Sequence, residues 1–122
     1  MPVPAVWHYV ADFQIPMKRM QYHKLVRDKI PQIIRAQGKT CVTEILPEET
    51  YREMVDAKLQ EELTEYQESK SLEELADLLE VMEAAVKARG YTWEELLAVR
   101  DEKREKRGGF EDRILLKEVI EL

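Results

Sequence analysis

The chain has 122 residues, of which 44% are apolar and 36% charged, and its formal net charge is -6 at pH 7. This length suits one domain with its own core, and the acidic balance argues against a general nucleic-acid binder, which needs a positive surface along the phosphates. No stretch approaches the ~20 apolar residues of a membrane span, and the single cysteine cannot form an internal disulfide, so we expect a cytoplasmic protein without a membrane anchor.

The first 22 residues differ from the rest of the chain, because they contain three prolines and scattered aromatic residues without a sustained hydrophobic period. We predict that residues 1–22 form an N-terminal extension, upstream of a natural start at Met20. Residues 23–122 are then expected to form one domain.

A short helix and a strand are predicted next. Asp28 has the side chain of an N-cap, Pro31 suits the first helical turn, and Gly38 suits a helix end. Residues 40–46 are rich in β-branched side chains and partly alternating, which predicts a strand.

Three longer helices are predicted after Pro47. In the first, apolar residues recur every three or four positions. The second and third each begin with the spacing of a capping box, Ser71 with Glu74 and Thr92 with Glu95.

Glycines are predicted to end the second and third helices, at Gly90 and at the Gly108–Gly109 pair. Residues 110–119 then predict a final strand, which we expect to pair with residues 40–46. The predicted fold is therefore mainly α, a helical bundle with a small two-stranded β-ribbon.

Two pairs of acids stand out on the predicted helices. Glu62 and Glu65 are three residues apart, as are Glu74 and Asp77, so each pair lies on one helix face. Carboxylates are the ligands that Mg²⁺ prefers, with water and substrate phosphates completing its shell. This spacing indicates a metal site between two helices.

The acids are concentrated in this region. Residues 61–83 contain nine acids and one base, Lys70, and the other residues of the chain sum to +2. Two ordinary explanations compete with a metal site. A helix often exposes a charged face to solvent, and Glu74 can cap its own helix.

Two basic segments are candidates for binding an anion. Residues 18–39 carry a net charge of +6. Lys103 and Arg107 are four residues apart at a helix end, so both can reach one phosphate group. Alternatively, cations near a helix C-terminus stabilise its dipole without any ligand.

Taken together, four segments resemble the all-α nucleoside triphosphate pyrophosphohydrolases, the superfamily of MazG and of phosphoribosyl-ATP pyrophosphohydrolase. The acidic motifs at 61–65 and 74–77 resemble its metal motif. Residues 24–31, KLVRDKIP, and 103–110, KREKRGGF, resemble the opening and closing motifs of one MazG-like branch. The resemblance covers about residues 22–119, although the gap between the acidic motifs is shorter than usual.

The resemblance implies roles for nine residues. Four would ligate Mg²⁺, with Mn²⁺ as a substitute: Glu62, Glu65, Glu74 and Asp77. Glu61 would support these ligands or orient the attacking water. Four cations would hold the phosphates: Lys103 and Arg107, with Arg27 and Lys29 as helpers.

The implied activity is hydrolysis of a nucleoside triphosphate to a monophosphate and pyrophosphate, in the house-cleaning of nucleotide pools. The implied assembly is a homodimer or homotetramer that completes a helical bundle. Two alternatives remain open, namely a phosphoribosyl-ATP pyrophosphohydrolase and a helical regulatory or interaction module without catalysis.

Overall fold

A computed structural model of the chain describes the backbone of residues 6–10 and 13–17 and both backbone and side chains of residues 18–122. This part of the chain is mainly helical, as predicted. Its elements, in order, are β1 (Val6–Val10), β2 (Phe13–Met17), α1 (Ile30–Ala36), α2 (Glu48–Ser69), α3 (Leu72–Ala88) and α4 (Trp93–Arg107).

The chain divides into two compact units, Met1–Lys58 and Leu59–Leu122. The first contains β1, β2, α1 and the beginning of α2, and the second contains the end of α2 with α3 and α4. Within the second unit, α3 packs against α4. A separate extension that ends at residue 22 stays a prediction.

A pair of antiparallel strands, β1 and β2, lies within the predicted extension. In its register Val6 is opposite Met17 and Val10 is opposite Phe13. The sequence does not predict strands here, since these residues show no sustained hydrophobic period.

The ribbon predicted from residues 40–46 and 110–119 is wrong, because the structure has neither helix nor strand in these segments. Their side chains are largely exposed, with Val42 at 98% and Ile114 at 83%. A β-rich sequence forms a strand only where a second strand pairs with it and a surface covers one face. Cys41, predicted as a strand residue, instead directs its Sγ to the Pro31 carbonyl of α1 at 3.9 Å.

The start of α1 also differs from the prediction. Its N-cap is Lys29, without a side-chain cap, rather than Asp28. The Ile30 N–H donates to the Arg27 carbonyl at 3.0 Å, so a tight turn precedes the helix. That turn places Asp28 one residue too early to cap it. Gly38 follows the helix at a φ of +80°, where a residue without Cβ is favoured.

The predicted starts of the three longer helices are confirmed. Pro47 immediately precedes α2, and Ser71 and Thr92 are the N-caps of α3 and α4. Only two residues, Lys70 and Ser71, connect α2 to α3, and Lys70 turns the chain with a φ of +58°. The tight connection holds the end of α2 beside the start of α3.

Few side chains are fully buried. Within residues 18–122, Val55 on α2 is the only buried apolar residue, at 1% exposure. Many large apolar side chains of the helices are half-buried or exposed. Among the described residues, no helix combines the length and apolar character that a bilayer crossing requires.

Candidate metal centre

Three acids of α2 lie together on one side of that helix. Glu62 is 7% exposed and is the only buried charged side chain within residues 18–122. Glu61 and Glu65 are half-buried beside it, as expected for neighbours on adjacent positions and turns. One carboxylate oxygen from each of the three lies within 4.8 Å of the others.

Helix α3 adds two carboxylates to this group. Oxygens of Glu62, Glu74 and Asp77 also lie within 4.8 Å of one another. The structure therefore brings together residues from both predicted acidic motifs, with Glu62 common to the two groups. We call these five residues, Glu61, Glu62, Glu65, Glu74 and Asp77, the acidic cluster.

The charge of Glu65 also acts on Glu74 across the two helices. Burial raises the pKa of Glu74 above its ordinary value, and the negative charges of Glu65 and Asp77 raise that pKa further. Without a cation, Glu74 therefore holds a proton more readily than an isolated glutamate.

The capping explanation for Glu74 can be tested directly. The Ser71 hydroxyl accepts the Glu74 backbone N–H at 3.2 Å, so Ser71 caps α3. In a complete capping box, however, the glutamate side chain also accepts the backbone N–H of the cap residue. Here the Ser71 N–H donates to Ser69 Oγ at 3.2 Å instead. The Glu74 carboxylate is thus available to the acidic cluster.

Helix α4 shows the contrast. Thr92 and Glu95 have the same spacing, and they form the complete box, with the Thr92 N–H donating to Glu95 Oε1 at 3.2 Å. Sequence reasoning missed the role of Ser69, whose hydroxyl replaces the glutamate in α3. A serine two residues before the cap is the signal that distinguishes Ser71 from Thr92.

One oxygen of Glu74 is left without a hydrogen bond. Oε2 is buried, and no donor within the described residues reaches it. A buried polar oxygen without a partner is costly, so such an atom is usually explained by an ion, a water or a functional role. A divalent cation among these carboxylates would satisfy Oε2 and neutralise the repulsion.

The donor set suits a hard cation. It offers only carboxylate oxygens, which match Mg²⁺, Mn²⁺ or Ca²⁺, and no thiolate or imidazole, which softer metals favour.

Lys103 and Arg107 lie on the last turns of α4, and both are exposed. Their neighbours are engaged: Arg104 donates to Glu111 at 2.7 Å, and Lys106 donates to Glu102 at 2.8 Å. Lys103 and Arg107 form no ion pair among residues 18–122, so their cationic groups remain available to an anion.

The two predicted helpers belong to the other compact unit. Arg27 lies in the turn before α1, Lys29 is its N-cap, and both are exposed. Their contribution to a phosphate site stays a prediction.

No protein-family model matches the chain, and no solved structure matches it. A protein of Mycolicibacterium smegmatis, described as uncharacterized, is 50% identical over 42 residues, which are 34% of this chain and 43% of the relative. The chain therefore spans less than half the length of the curated relative that it matches. These comparisons assign neither a family nor an activity.

Proposed function

We propose that this chain is a metal-dependent nucleoside triphosphate pyrophosphohydrolase of the MazG-like, all-α type. The observation that carries the proposal is the buried Oε2 of Glu74, which has no hydrogen bond, within a group of carboxylates from two helices. Solvent-exposed helical acids do not produce this arrangement, because water would satisfy their oxygens.

The residues that would hold the cation are Glu62, Glu74 and Asp77, joined by Glu65, which is grouped with Glu62 and whose charge raises the pKa of Glu74. Mg²⁺, or Mn²⁺ in its place, would neutralise negative charge on the substrate phosphates. The carboxylates hold their positions because the short connection at Lys70 and Ser71 keeps the two helix ends adjacent.

The other predicted residues act on water and on phosphate. Glu61 is half-buried beside Glu62 and would orient the water that attacks the phosphoanhydride. Lys103 and Arg107 would bind the phosphate oxygens and stabilise charge as the bond breaks. Water is added across the anhydride, and the products are a nucleoside monophosphate and pyrophosphate. The proposed substrates are nucleotides of the cytoplasmic pool.

The decisive experiment is a pyrophosphate-release assay. The full chain is incubated with standard, deoxy and modified nucleoside triphosphates, with phosphoribosyl-ATP, and with Mg²⁺, Mn²⁺ or chelator. Metal-dependent release from a nucleoside triphosphate supports the proposal. Release from phosphoribosyl-ATP alone identifies the alternative substrate instead.

A silent assay has a different meaning if the folded protein still binds Mn²⁺. The acidic cluster is then a metal site without this activity, which favours the regulatory or interaction module. Glu62→Gln is the control for contaminating phosphatases, because it should abolish any release that belongs to the acidic cluster.

A further inference from the structure

Phe110 presents an almost completely exposed aromatic ring. Its side chain is 98% exposed, in a short turn that follows the end of α4. A phenyl ring is strongly favoured to leave water, and Phe110 has no apolar cover within the described residues. A ring presented in this way is a surface on which a second flat ring can stack.

The turn that presents Phe110 is held on both sides by backbone hydrogen bonds. The Gly108 N–H donates to the Arg104 carbonyl at 2.8 Å, and the Arg113 N–H donates to the Phe110 carbonyl at 3.3 Å. Gly108 ends the helix with a φ of +82°, a conformation that favours glycine. The position of the ring therefore follows from the local backbone rather than from side-chain packing.

The side chain of Arg104 joins this turn to α4. Its Nη2 donates to Glu111 Oε1 at 2.7 Å, and a Cβ placed on Gly109 would lie 3.9 Å from its guanidinium group. These two contacts flank Phe110 in the chain. Arg104 and Arg107 are three residues apart, so they lie on the same side of α4. The backbone of Phe110 is therefore held beside the side of α4 that carries Arg107.

Three cations close to Phe110 in the chain have no ionic partner. Lys103, Arg107 and Arg113 are exposed and form no ion pair among residues 18–122. Arg107 is three residues before Phe110 and Arg113 three residues after it, so their Cα atoms lie within about 11 Å of the Cα of Phe110. Lys103 lies one helical turn, about 6 Å, before Arg107. An anion bound by these cations would thus lie near an exposed aromatic ring.

A nucleotide combines the two chemical groups that these residues can bind. Its phosphates carry negative charge, which suits the cations, and its base is a flat aromatic ring, which can stack on a phenyl ring. Inorganic phosphate has no ring, and an apolar protein surface would leave buried cations unpaired. The charge of the segment also favours an anion, because residues 103–113 contain five bases and three acids, whereas the whole chain is acidic.

We propose that Phe110 is the stacking platform for the base of the nucleotide whose phosphates Lys103 and Arg107 bind. This inference rests on the proposed hydrolysis for the identity of the ligand, and it adds the residue that holds the base. Stacking uses the face of a base and not its hydrogen-bonding edge, so the contact accepts every base. Phe110 thus selects for the presence of a base rather than for its identity.

The first test measures the binding of two probes to the full chain by calorimetry in Mg²⁺. The probe α,β-methylene-ATP carries a base and an α–β bridge that water cannot cleave, whereas pyrophosphate carries phosphates alone. Phe110→Ala should weaken the binding of α,β-methylene-ATP about 5- to 150-fold, as expected for loss of one stacked base. Its affinity for pyrophosphate should change by less than about 3-fold.

Two further substitutions separate stacking from general apolar contact. Phe110→Tyr keeps the aromatic face and should bind α,β-methylene-ATP within about 3-fold of the wild type. Phe110→Leu keeps an apolar side chain without the ring and should recover little of the affinity that Phe110→Ala loses. Full recovery by Phe110→Leu would overturn the stacking contact.

Ile114→Ala is the matched control for these variants. Ile114 lies on the same segment and is 83% exposed, so its truncation also removes exposed apolar surface near the turn. It should leave the affinity for both probes unchanged. Equal weakening by Ile114→Ala and Phe110→Ala would contradict a contact made by Phe110 in particular. Because both side chains are exposed, neither substitution is expected to unfold the chain.

The two probes distinguish failure of this proposal from failure of the proposed hydrolysis. Unchanged binding of α,β-methylene-ATP in Phe110→Ala would exclude the stacking contact and leave the proposed hydrolysis standing. Equal weakening of both probes would mean that Phe110 supports the phosphate contacts instead of the base, which also overturns the proposal. A wild-type chain that binds neither probe would exclude both the stacking contact and the phosphate site.

Two other partners of an exposed ring are tested with the same variant. If the chain binds a ten-residue thymidine oligonucleotide more tightly than α,β-methylene-ATP, and Phe110→Ala loses that binding, Phe110 belongs to a site for a nucleic-acid strand. If Phe110→Ala changes the sedimentation of the chain but not its nucleotide affinity, Phe110 belongs to a protein interface. Either result would overturn the proposal.

Discussion

The Ser71 hydroxyl accepts the backbone N–H of Glu74 at 3.2 Å, while a Glu74 carboxylate oxygen lies within 4.8 Å of oxygens of Glu62 and Asp77. One residue therefore serves two purposes through different groups. Its backbone amide is part of the helix start, and its carboxylate is part of the acidic cluster. This separation depends on Ser69, which accepts the Ser71 N–H that a capping glutamate would otherwise take.

We predict that Glu62→Gln loses metal binding and turnover while its helix content stays nearly unchanged. The substitution keeps the size of the side chain but removes the one carboxylate that belongs to both groups of three acids. The affinity for Mn²⁺, measured by calorimetry, should fall at least about 10-fold.

Glu68→Gln is the control for this variant, since Glu68 lies on the same helix but is exposed. It should bind Mn²⁺ as the wild type does, and circular dichroism should give equal helix content for all three proteins. Activity that survives in Glu62→Gln would exclude the metal assignment.

A second prediction concerns the pH dependence of stability without metal. The pKa of Glu74 is raised by burial and by the charges of Glu65 and Asp77. Its contribution to stability is therefore fully present below the ordinary pKa of 4.5 and is lost as the pH rises through the folded-state pKa. At pH 7, in chelator, Glu74→Gln should be more stable than the wild type.

Urea unfolding of both proteins between pH 4 and pH 8 measures this effect. Other carboxylates titrate in the same range, so the difference between the two curves is the informative quantity. The advantage of Glu74→Gln should shrink as the pH falls. It should also disappear at pH 7 in saturating Mn²⁺, because only the wild type gains stability from bound metal. If the free energies of unfolding of the two proteins differ by the same amount at every pH, repulsion in the acidic cluster is contradicted.

The two helix starts should respond differently to loss of their glutamates. Thr92→Ala and Ser71→Ala should each cost about 1 kcal/mol of the free energy of unfolding, because each removes an N-cap hydroxyl. Glu95→Ala by itself should lower the free energy of unfolding by about 0.5 to 1.5 kcal/mol relative to the wild type, since it removes the partner of the Thr92 N–H.

Glu74→Ala should show no such capping loss in chelator, as the Ser71 N–H keeps its bond to Ser69. Denaturant unfolding compares these variants. Equal destabilisation by Glu74→Ala and Glu95→Ala would mean that the Glu74 carboxylate caps α3 in solution.

The last prediction tests phosphate binding by α4. Lys103→Ala should lower kcat/KM about 10- to 100-fold, as expected for loss of a charge-assisted contact worth about 1.5 to 3 kcal/mol. Its affinity for Mn²⁺ should not change. Lys106→Ala is the matched control, because Lys106 is paired with Glu102 on the same helix. If kcat/KM is unchanged in Lys103→Ala, the explanation in which Lys103 only stabilises the helix dipole is favoured.

The positions of the helices could be predicted from the sequence because their causes are local. Apolar spacing and a hydroxyl at the N-cap determine where α3 and α4 begin, and the relevant hydrogen bonds connect residues three or four apart. The prediction of two strands was wrong because strand formation depends on residues distant in sequence. Residues 40–46 and 110–119 have strand-like composition, but a strand requires a partner distant in sequence, which local composition cannot specify.

Some features of the candidate site also follow from local sequence, and others depend on the folded chain. The sequence by itself determined that Glu62 and Glu65 share one helix face and that Glu74 and Asp77 share another, because helical geometry requires it. Only the tertiary structure decided that these faces meet and that Glu62 becomes buried. These outcomes depend on how α2 and α3 pack across their two-residue connection, and packing between helices is a property of the folded chain.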